Sequence, residues 1–305
     1  MDWQEIEAFL AVADELHFAR AARRLHLSQA RVSQTIQKLE RRVGSPLFDR
    51  TTRRVSLTPI GRRLLDDLRP AHQAVLDALD RAQAAGRGIT GVLRVAFLGP
   101  LAGRVVLDVM TAIRTGHPDL DIQLYETQIA DPCRPLREEE VDLALIQFPV
   151  NEPGITTGLV VLSEPRVLAV SARHPYARRA SVSLEDLARD HTFRPAGRPS
   201  PGWLDNYLPW TTPAGRPIER GPAVATFQEL LALVAAGRGI CPVAAHNLRY
   251  HPRPDVTFVP LADAPPFEFG LAWRTSAYTT RVRTFAETTG KLVTAWGGPT
   301  ATAQR

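Results

Sequence analysis

FARAARRLHLSQARVSQTIQKLERRVGSPLFDRTTRRVSLTPIG, residues 18–61, reads as two short helices, a turn and a basic hairpin. From Arg20 to Arg63, twelve Arg and Lys residues stand against only Glu40 and Asp49, a local net charge of +10. Charge of one sign at that density makes a field suited to a polyanion, although a charge run can also be a solvated face. The apolar pattern has to decide between them.

Phe18, Ala22 and Leu25 recur at helical spacing, and the small side chains of Ala19, Ala21 and Ala22 let another helix cross closely. The turn falls at His26 and Leu27. Ser28 then stands where an N-cap belongs, and Val32, Ile36, Leu39 and Val43 form the stripe of a third helix ending at Gly44. Its opposite face presents Gln29, Ala30, Arg31, Ser33, Gln34, Gln37 and Lys38, and the stretch from Ser28 to Lys38 is the expected DNA-binding helix. Amides and a guanidinium near a helix N-terminus are groups that read base edges in a major groove. After Pro46, LFDRTTRRVSLT alternates around Val55 and Leu57 as a two-stranded wing, with Arg50, Thr51, Arg53 and Arg54 near its tip. Such residues bind phosphates or a narrow minor groove, giving affinity and register more than sequence choice. For Arg50, pairing with Asp49 or Glu40 is the alternative.

Upstream, Trp3, Ile6, Leu10 and Ala13 predict an amphipathic helix with one buried stripe. Downstream, Thr58 and Pro59 form a cap and a first-turn proline, and Leu64, Leu65, Leu68, His72, Val75, Leu76, Leu79 and Gln83 continue the helical spacing. A helix to about residue 85, at about 1.5 Å per residue, extends some 40 Å. So long a stripe asks for a partner helix, or packs back on its own chain. GRGITG, residues 86–91, fits the letters of a dinucleotide-binding loop but precedes a strand instead of following one, and reads as a flexible joint.

From Val92 the texture changes to alternating strands and helices. VLRVAF, DIQLYE and VDLALIQF are strands, with helices at 104–114 and 132–140 between them. A second unit begins near Val160 with VLAVS. It continues through 183–189, HTFR, 203–208, 226–236 and GICPV, and FEFGLAW and a helix near 278–295 close the chain. Repeated βα units predict a parallel sheet with helices on its faces. In such sheets ligands sit beyond the carboxyl ends of strands and against helix N-termini. The positions meeting that description are Gly99, Pro100 and Leu101 after the first strand, Thr127 and Gln128 after the second, and Gln147 and Phe148 after the third. In the second unit they are Arg194, Thr226 and Phe227. A cleft with Arg194, Thr226 and amide donors suits a small carboxylate or other polar metabolite, and a larger or more apolar ligand is equally open. The bland alternative is that Thr226 caps its helix and Arg194 bonds an outer carboxylate.

Residues 9–61 resemble the winged helix-turn-helix of the LysR-type transcriptional regulators. The match includes Ala21 and Ala22, Leu25, Ser28 and Gln29, Val32 and Ser33, Ile36, Leu39 and Glu40, Gly44, Leu47 and Phe48, Arg50, and Leu57 through Gly61. Ala30 and Arg31 stand where the family often has Pro-Ala, and Gln34 where it often has Arg, so operator preference does not carry over. The resemblance implies an N-terminal all-α winged helix-turn-helix over 1–58 and a linker and dimerisation helix over 59–88. A C-terminal α/β effector domain over 89–300 then resembles periplasmic binding proteins. Its lobe one is expected at about 89–160 and 268–300, its lobe two at about 161–267, with a tail at 301–305. It further implies double-stranded promoter DNA and a small-molecule effector as partners, a homodimer through the linker helix or a tetramer, and RNA polymerase as a further partner. The family often has Ser or Thr in the first ligand loop, where this chain has Gly99, Pro100, Leu101 and Ala102.

Composition agrees with this division. Residues 1–90 hold 15 basic and 11 acidic side chains, and residues 91–305 hold 22 and 21, so the excess lies at the N-terminal end. Two cysteines, Cys133 and Cys241, give no disulfide framework and suit a reducing compartment, with a redox switch between them as the alternative. Asp2, Glu5 and Glu7 occupy the place of a signal peptide's basic region, and no apolar run is long enough for a bilayer, so a cytoplasmic protein is expected. No G-x-S-x-G elbow, Walker loop or H-E-x-x-H occurs, and no enzyme, metal or cofactor is expected. Cys241, His246 and His251 are oddly spaced for a metal site and read as structural, and Glu138, Glu139 and Glu140 as a solvated helix end.

Overall fold

The computed structural model describes residues 2–50, 55–87 and 89–304, with the backbone alone for Arg50 and residues 77–87. It divides into two compact units, Met1–Gln83 and Ala84–Arg305.

In the first unit α1 (Trp3–Glu15), α2 (Phe18–Arg24) and α3 (Gln29–Val43) surround a core of Phe9, Val12, Phe18, Ala21, Val32, Ile36, Leu39, Leu47 and Phe48. The turn between α2 and α3 is where expected, with His26 in the left-handed region at φ 54° and Leu27 N–H donating to the Ala22 carbonyl at 2.9 Å. Strands β1 (Phe48–Arg50) and β2 (Val55–Leu57) pair antiparallel as the wing. Helix α4 (Pro59–Arg87) starts at Thr58, whose hydroxyl accepts from Gly61 N–H at 3.0 Å.

Two sequence expectations shift here. The stripe of α1 that enters the core is Glu5, Ala8, Phe9 and Val12, whereas Trp3, Ile6 and Leu10 are only half-buried. The helix is apolar on more than one side, and its Trp3 ring stacks on His72 of α4 at 4.7 Å. The early part of α4 packs back on its own unit through Leu64, Leu65 and Leu68, while Val75 and Leu76 lie 46% and 37% exposed. The expected joint at 86–91 is also shorter, because Gly86 and Arg87 remain in α4.

In the second unit β3 (Gly91–Phe97), α5 (Pro100–Gly116), β4 (Leu120–Glu126), α6 (Arg134–Arg137), β5 (Leu143–Gln147) and β6 (Ile155–Glu164) build the first lobe. Then follow β7 (Arg166–Ser171), β8 (His191–Pro195), α7 (Pro201–Tyr207), β9 (Glu219–Val224), α8 (Phe227–Ala235), β10 (Cys241–Ala244), α9 (Asn247–Tyr250) and β11 (Val256–Pro260). The chain returns through β12 (Phe267–Arg274), α10 (Thr280–Ala295) and α11 (Pro299–Ala303). The first sheet has the order β4-β3-β5-β12-β6, with β3 parallel to β4 and β5, and β12 antiparallel to β5 and β6. The parallel expectation therefore holds for the strands that bear the first ligand loops. It fails in the second lobe's three-stranded sheet, where β7 is antiparallel to β10 and β11, and returns in the β8–β9 pair.

The lobe boundary moves as well. Residues read as the start of the second lobe near Val160 end β6 of the first sheet, which β12 holds from more than a hundred residues downstream, beyond any local signal. The expected helix at 132–140 is a single turn, ended where Glu139 takes φ 58°. Strands β9 and β11 were not anticipated. The expected tail at 301–305 is mostly α11, packed on β6, with Thr302 1% exposed and its hydroxyl bonded to the Gly298 carbonyl at 2.9 Å.

Candidate functional site

Helix α3 carries the expected reading face. Ser28 Oγ accepts from Arg31 N–H at 3.2 Å, which fixes the first turn. Gln29, Ala30, Arg31, Gln34 and Gln37 are exposed and Ser33 is half-buried. Lys38 is also exposed, but its Nζ lies 3.0 Å from Glu5, and an Arg42 nitrogen lies 3.6 Å from the same carboxylate. Glu5 is 1% exposed and accepts from Asp2 N–H at 2.9 Å. That backbone bond first, and then Lys38, hold its carboxyl below the usual glutamate range. Lys38 is thus tied to α1, unlike the amide side chains beside it.

Glu40 Oε1 accepts from the backbone N–H groups of Leu47 and Phe48 at 3.0 and 3.3 Å, so it anchors the entry to the wing. Asp14 and Glu15, just outside the basic run, pair with Arg24, Arg20 and Arg69 and neutralise part of it. Thr51, Arg53 and Arg54 lie outside the described residues, as does the Arg50 side chain.

A cavity of about 310 Å³ opens in the second unit, at the carboxyl ends of β3, β4 and β5 and against α5 and α8. Seven of the ten expected ligand positions line it. Gly99, Pro100, Thr127 and Gln128 come from the first two loops, Gln147 from the third, and Thr226 and Phe227 from the start of α8. Gly99 is the N-cap of α5 at φ 79°, with no side-chain cap on that turn, so the helix amino end is presented bare. Gln147 is 3% exposed, and its amide nitrogen has no hydrogen-bond partner. Thr127 and Thr226 are already engaged, Thr127 with the Pro132 carbonyl at 3.3 Å and Thr226 as acceptor from Glu229 N–H at 3.1 Å.

Three expected positions are elsewhere. Leu101 is 1% exposed in the core, since the first turn of α5 rotates it inward. Phe148 packs over Gly270 and borders a separate depression with Asn206 and Pro266. Arg194 is exposed on β8, and its Nε donates to the Gly221 carbonyl at 3.2 Å, so it lies off the cavity wall.

The sequence reading missed the far wall, made by Tyr207, Val243, Ala244, His246, Asn247, His251 and Phe269. His246 Nδ1 lies 2.6 Å from Glu164, and both side chains are almost fully buried. The signal available was position, because His246 follows the carboxyl end of GICPV, but with Cys241 and His251 it reads from the sequence as structural. Among the described residues no group of three or more His, Cys, Asp or Glu is placed to hold a metal ion. No described helix is long and apolar enough to cross a membrane.

Family profiles described as "Bacterial regulatory helix-turn-helix protein, lysR family" and "LysR substrate binding domain" match residues 3–62 and 86–292. The chain is 33% identical over 281 residues to the HTH-type transcriptional regulator IlvR of Caulobacter vibrioides, covering 90% of this chain and 92% of that one. Among solved structures, full-length BenM aligns with a TM-score of 0.52 at 25% identity, covering 98% of both chains. Full-length CbnR complexed with its target DNA aligns at 0.51 and 25%, covering 95% of this chain and 99% of that one.

Proposed function

Because the chain belongs to the LysR family of DNA-binding transcriptional regulators, we propose that it reads promoter DNA with the amino-terminal half of α3 and reports a small molecule held in the cavity of its second unit. Gln29, Ala30, Arg31, Ser33, Gln34 and Gln37 meet base edges, and Arg50, Thr51, Arg53 and Arg54 grip the backbone. Lys38 contributes charge at the edge while bound to Glu5. The observation that carries this reading is the exposed amide-rich face of α3, capped by Ser28 and free of side-chain ion pairs from Gln29 to Gln37 among the described residues.

The protein works in the cytoplasm as a homodimer or a dimer of dimers, with the stretch of α4 around Val75 and Leu76 as the seam and RNA polymerase as a further contact. Ligand binding changes the effector unit and, through α4, the spacing or bending of two half-sites. The test is a footprint with the full-length protein on the DNA upstream of its own gene, with and without cell-extract metabolites. A bounded footprint that survives competitor DNA at moderate salt is expected. Protection spread evenly over unrelated DNA would mean a sequence-indifferent binder and would sink the proposal.

A further inference from the structure

Not all the charge on the reading helix is available to DNA. Lys38 and Arg42 lie one turn apart on α3, with side chains 61% and 59% exposed, yet both reach back to one carboxylate of α1. The Lys38 ammonium lies 3.0 Å from Glu5 Oε1 and an Arg42 nitrogen 3.6 Å from Oε2, which also accepts from Asp2 N–H at 2.9 Å. These three side chains sum to +1, where α3 read alone supplies +2.

The other acidic partners of the basic run behave differently. Asp14 and Glu15 pair with Arg24 and Arg20 while 29% and 30% exposed, so water can replace those partners at little cost. Glu5 is 1% exposed, and a carboxylate that deep is stable only while it is paired. Lys38 cannot leave it for a DNA phosphate without abandoning a buried charge to the more distant Arg42. The pair also borders the surface that meets bases. A groove of about 470 Å³ runs between the start of α1 and the outer face of α3, with Glu5, Lys38 and Arg41 on its walls beside Arg31 and Gln34 of the reading face.

We propose that Glu5 limits the sequence-independent grip on DNA, withholding one positive charge of the Lys38 and Arg42 pair from the phosphates. This rests on α3 being the helix that meets DNA. Glu5 itself touches no nucleotide. It is a positioning residue that acts by holding Lys38 on α1, and its effect falls on counterion release, the part of binding that every DNA sequence shares.

The experiment titrates full-length protein with an unrelated DNA duplex and with the promoter fragment, by fluorescence anisotropy over a series of NaCl concentrations. Glu5→Gln should steepen the slope of log affinity against log salt by about 0.9, and at about 100 mM salt bind the unrelated duplex about three- to tenfold tighter than wild type. The charge-balanced Glu5→Gln/Lys38→Ala protein should return both quantities to their wild-type values, which a merely damaged fold would not do. An unchanged slope in a folded Glu5→Gln would overturn the proposal. So would weaker binding of both DNAs, which would make Glu5 the residue that presents Lys38 to a phosphate. The chain has two lysines, Lys38 and Lys291, so acetylation of the wild-type protein without DNA decides the matter even where Glu5→Gln does not fold. Lys38 should react several-fold more slowly than exposed Lys291, and equal rates would refute the tether. The wild-type footprint on promoter DNA separates the two levels. A bounded footprint confines any failure to the role of Glu5, and its absence removes the reading of α3 beneath it.

Discussion

A Cβ at Gly61 would lie 2.1 Å from the Leu47 carbonyl oxygen, which also accepts from Thr58 N–H at 3.0 Å. The first turn of α4 therefore passes against the wing with no room for a methyl group. Gly61→Ala should destabilise the N-terminal unit by about 1–3 kcal/mol, read as a lower urea midpoint with DNA affinity falling in step. Glu5 gives a pH signature. Its folded pKa is lowered, so its contribution is present above its unfolded value and disappears as pH falls through the folded one. The stability gap between wild type and Glu5→Gln should be full at pH 7 and close as pH drops below about 4, the ordinary glutamate region. A gap independent of pH would mean that the Asp2, Lys38 and Arg42 contacts leave the carboxyl unperturbed. For DNA, Arg53→Ala should weaken binding to all sequences and reduce the salt slope by about one, whereas Gln34→Ala should alter which sequences are chosen. A change of preference with an untouched slope in Arg53→Ala would reverse those roles.

At the scale of elements, α4 resolves an ambiguity that its periodicity left open. Its early leucines serve its own unit, and Val75 and Leu76, one to two turns after Pro70, are too exposed to be accounted for by that core. Replacing both by Glu should weaken self-association on the order of a hundredfold, given about 1.5–3 kcal/mol for each large apolar side chain that a partner buries. Sedimentation at micromolar concentration checks this, and an unchanged dimer would place the seam elsewhere. Helix α5 shows how an element shapes a cavity wall from its end. Gly99 and Pro100 leave its amino terminus bare, while Leu101 turns into the core.

At the scale of the whole molecule, both cysteines are free and buried, which argues against a redox switch between them. Cys133 lies near Glu152 and Asp131, and Cys241 lies on β10 within 3.9 Å of the Tyr207 hydroxyl. Burial, as the leading cause for each, pushes both thiols up to about 12. Neither should react with a disulfide reagent in the native protein at pH 8, and both should react at once in guanidinium. A fast-labelling native thiol would contradict that burial. The same scale explains the cavity, since its walls come from the ends of β3, β4, β5, β9 and β10 together with Tyr207 of α7 and Phe269 of β12, segments far apart in the chain.

By itself the sequence determined the winged unit, because nearly every feature there is local. Ser28 caps the helix it precedes, Gly44 ends it in the left-handed region, Thr58 bonds Gly61, and the buried stripe of α3 repeats within fifteen residues. The strand ends that bear Gly99, Thr127 and Gln147 were legible for the same reason. Tertiary structure alone decided the rest: that Glu5 would be buried on charges from α3, that 155–164 would belong to the first sheet, that Arg194 would miss the cavity, and that His246 would meet Glu164. Those outcomes depend on contacts between segments separated by tens to more than a hundred residues. No period or cap carries information about such contacts, whose energies come from burial and pairing that exist only once the chain has closed on itself.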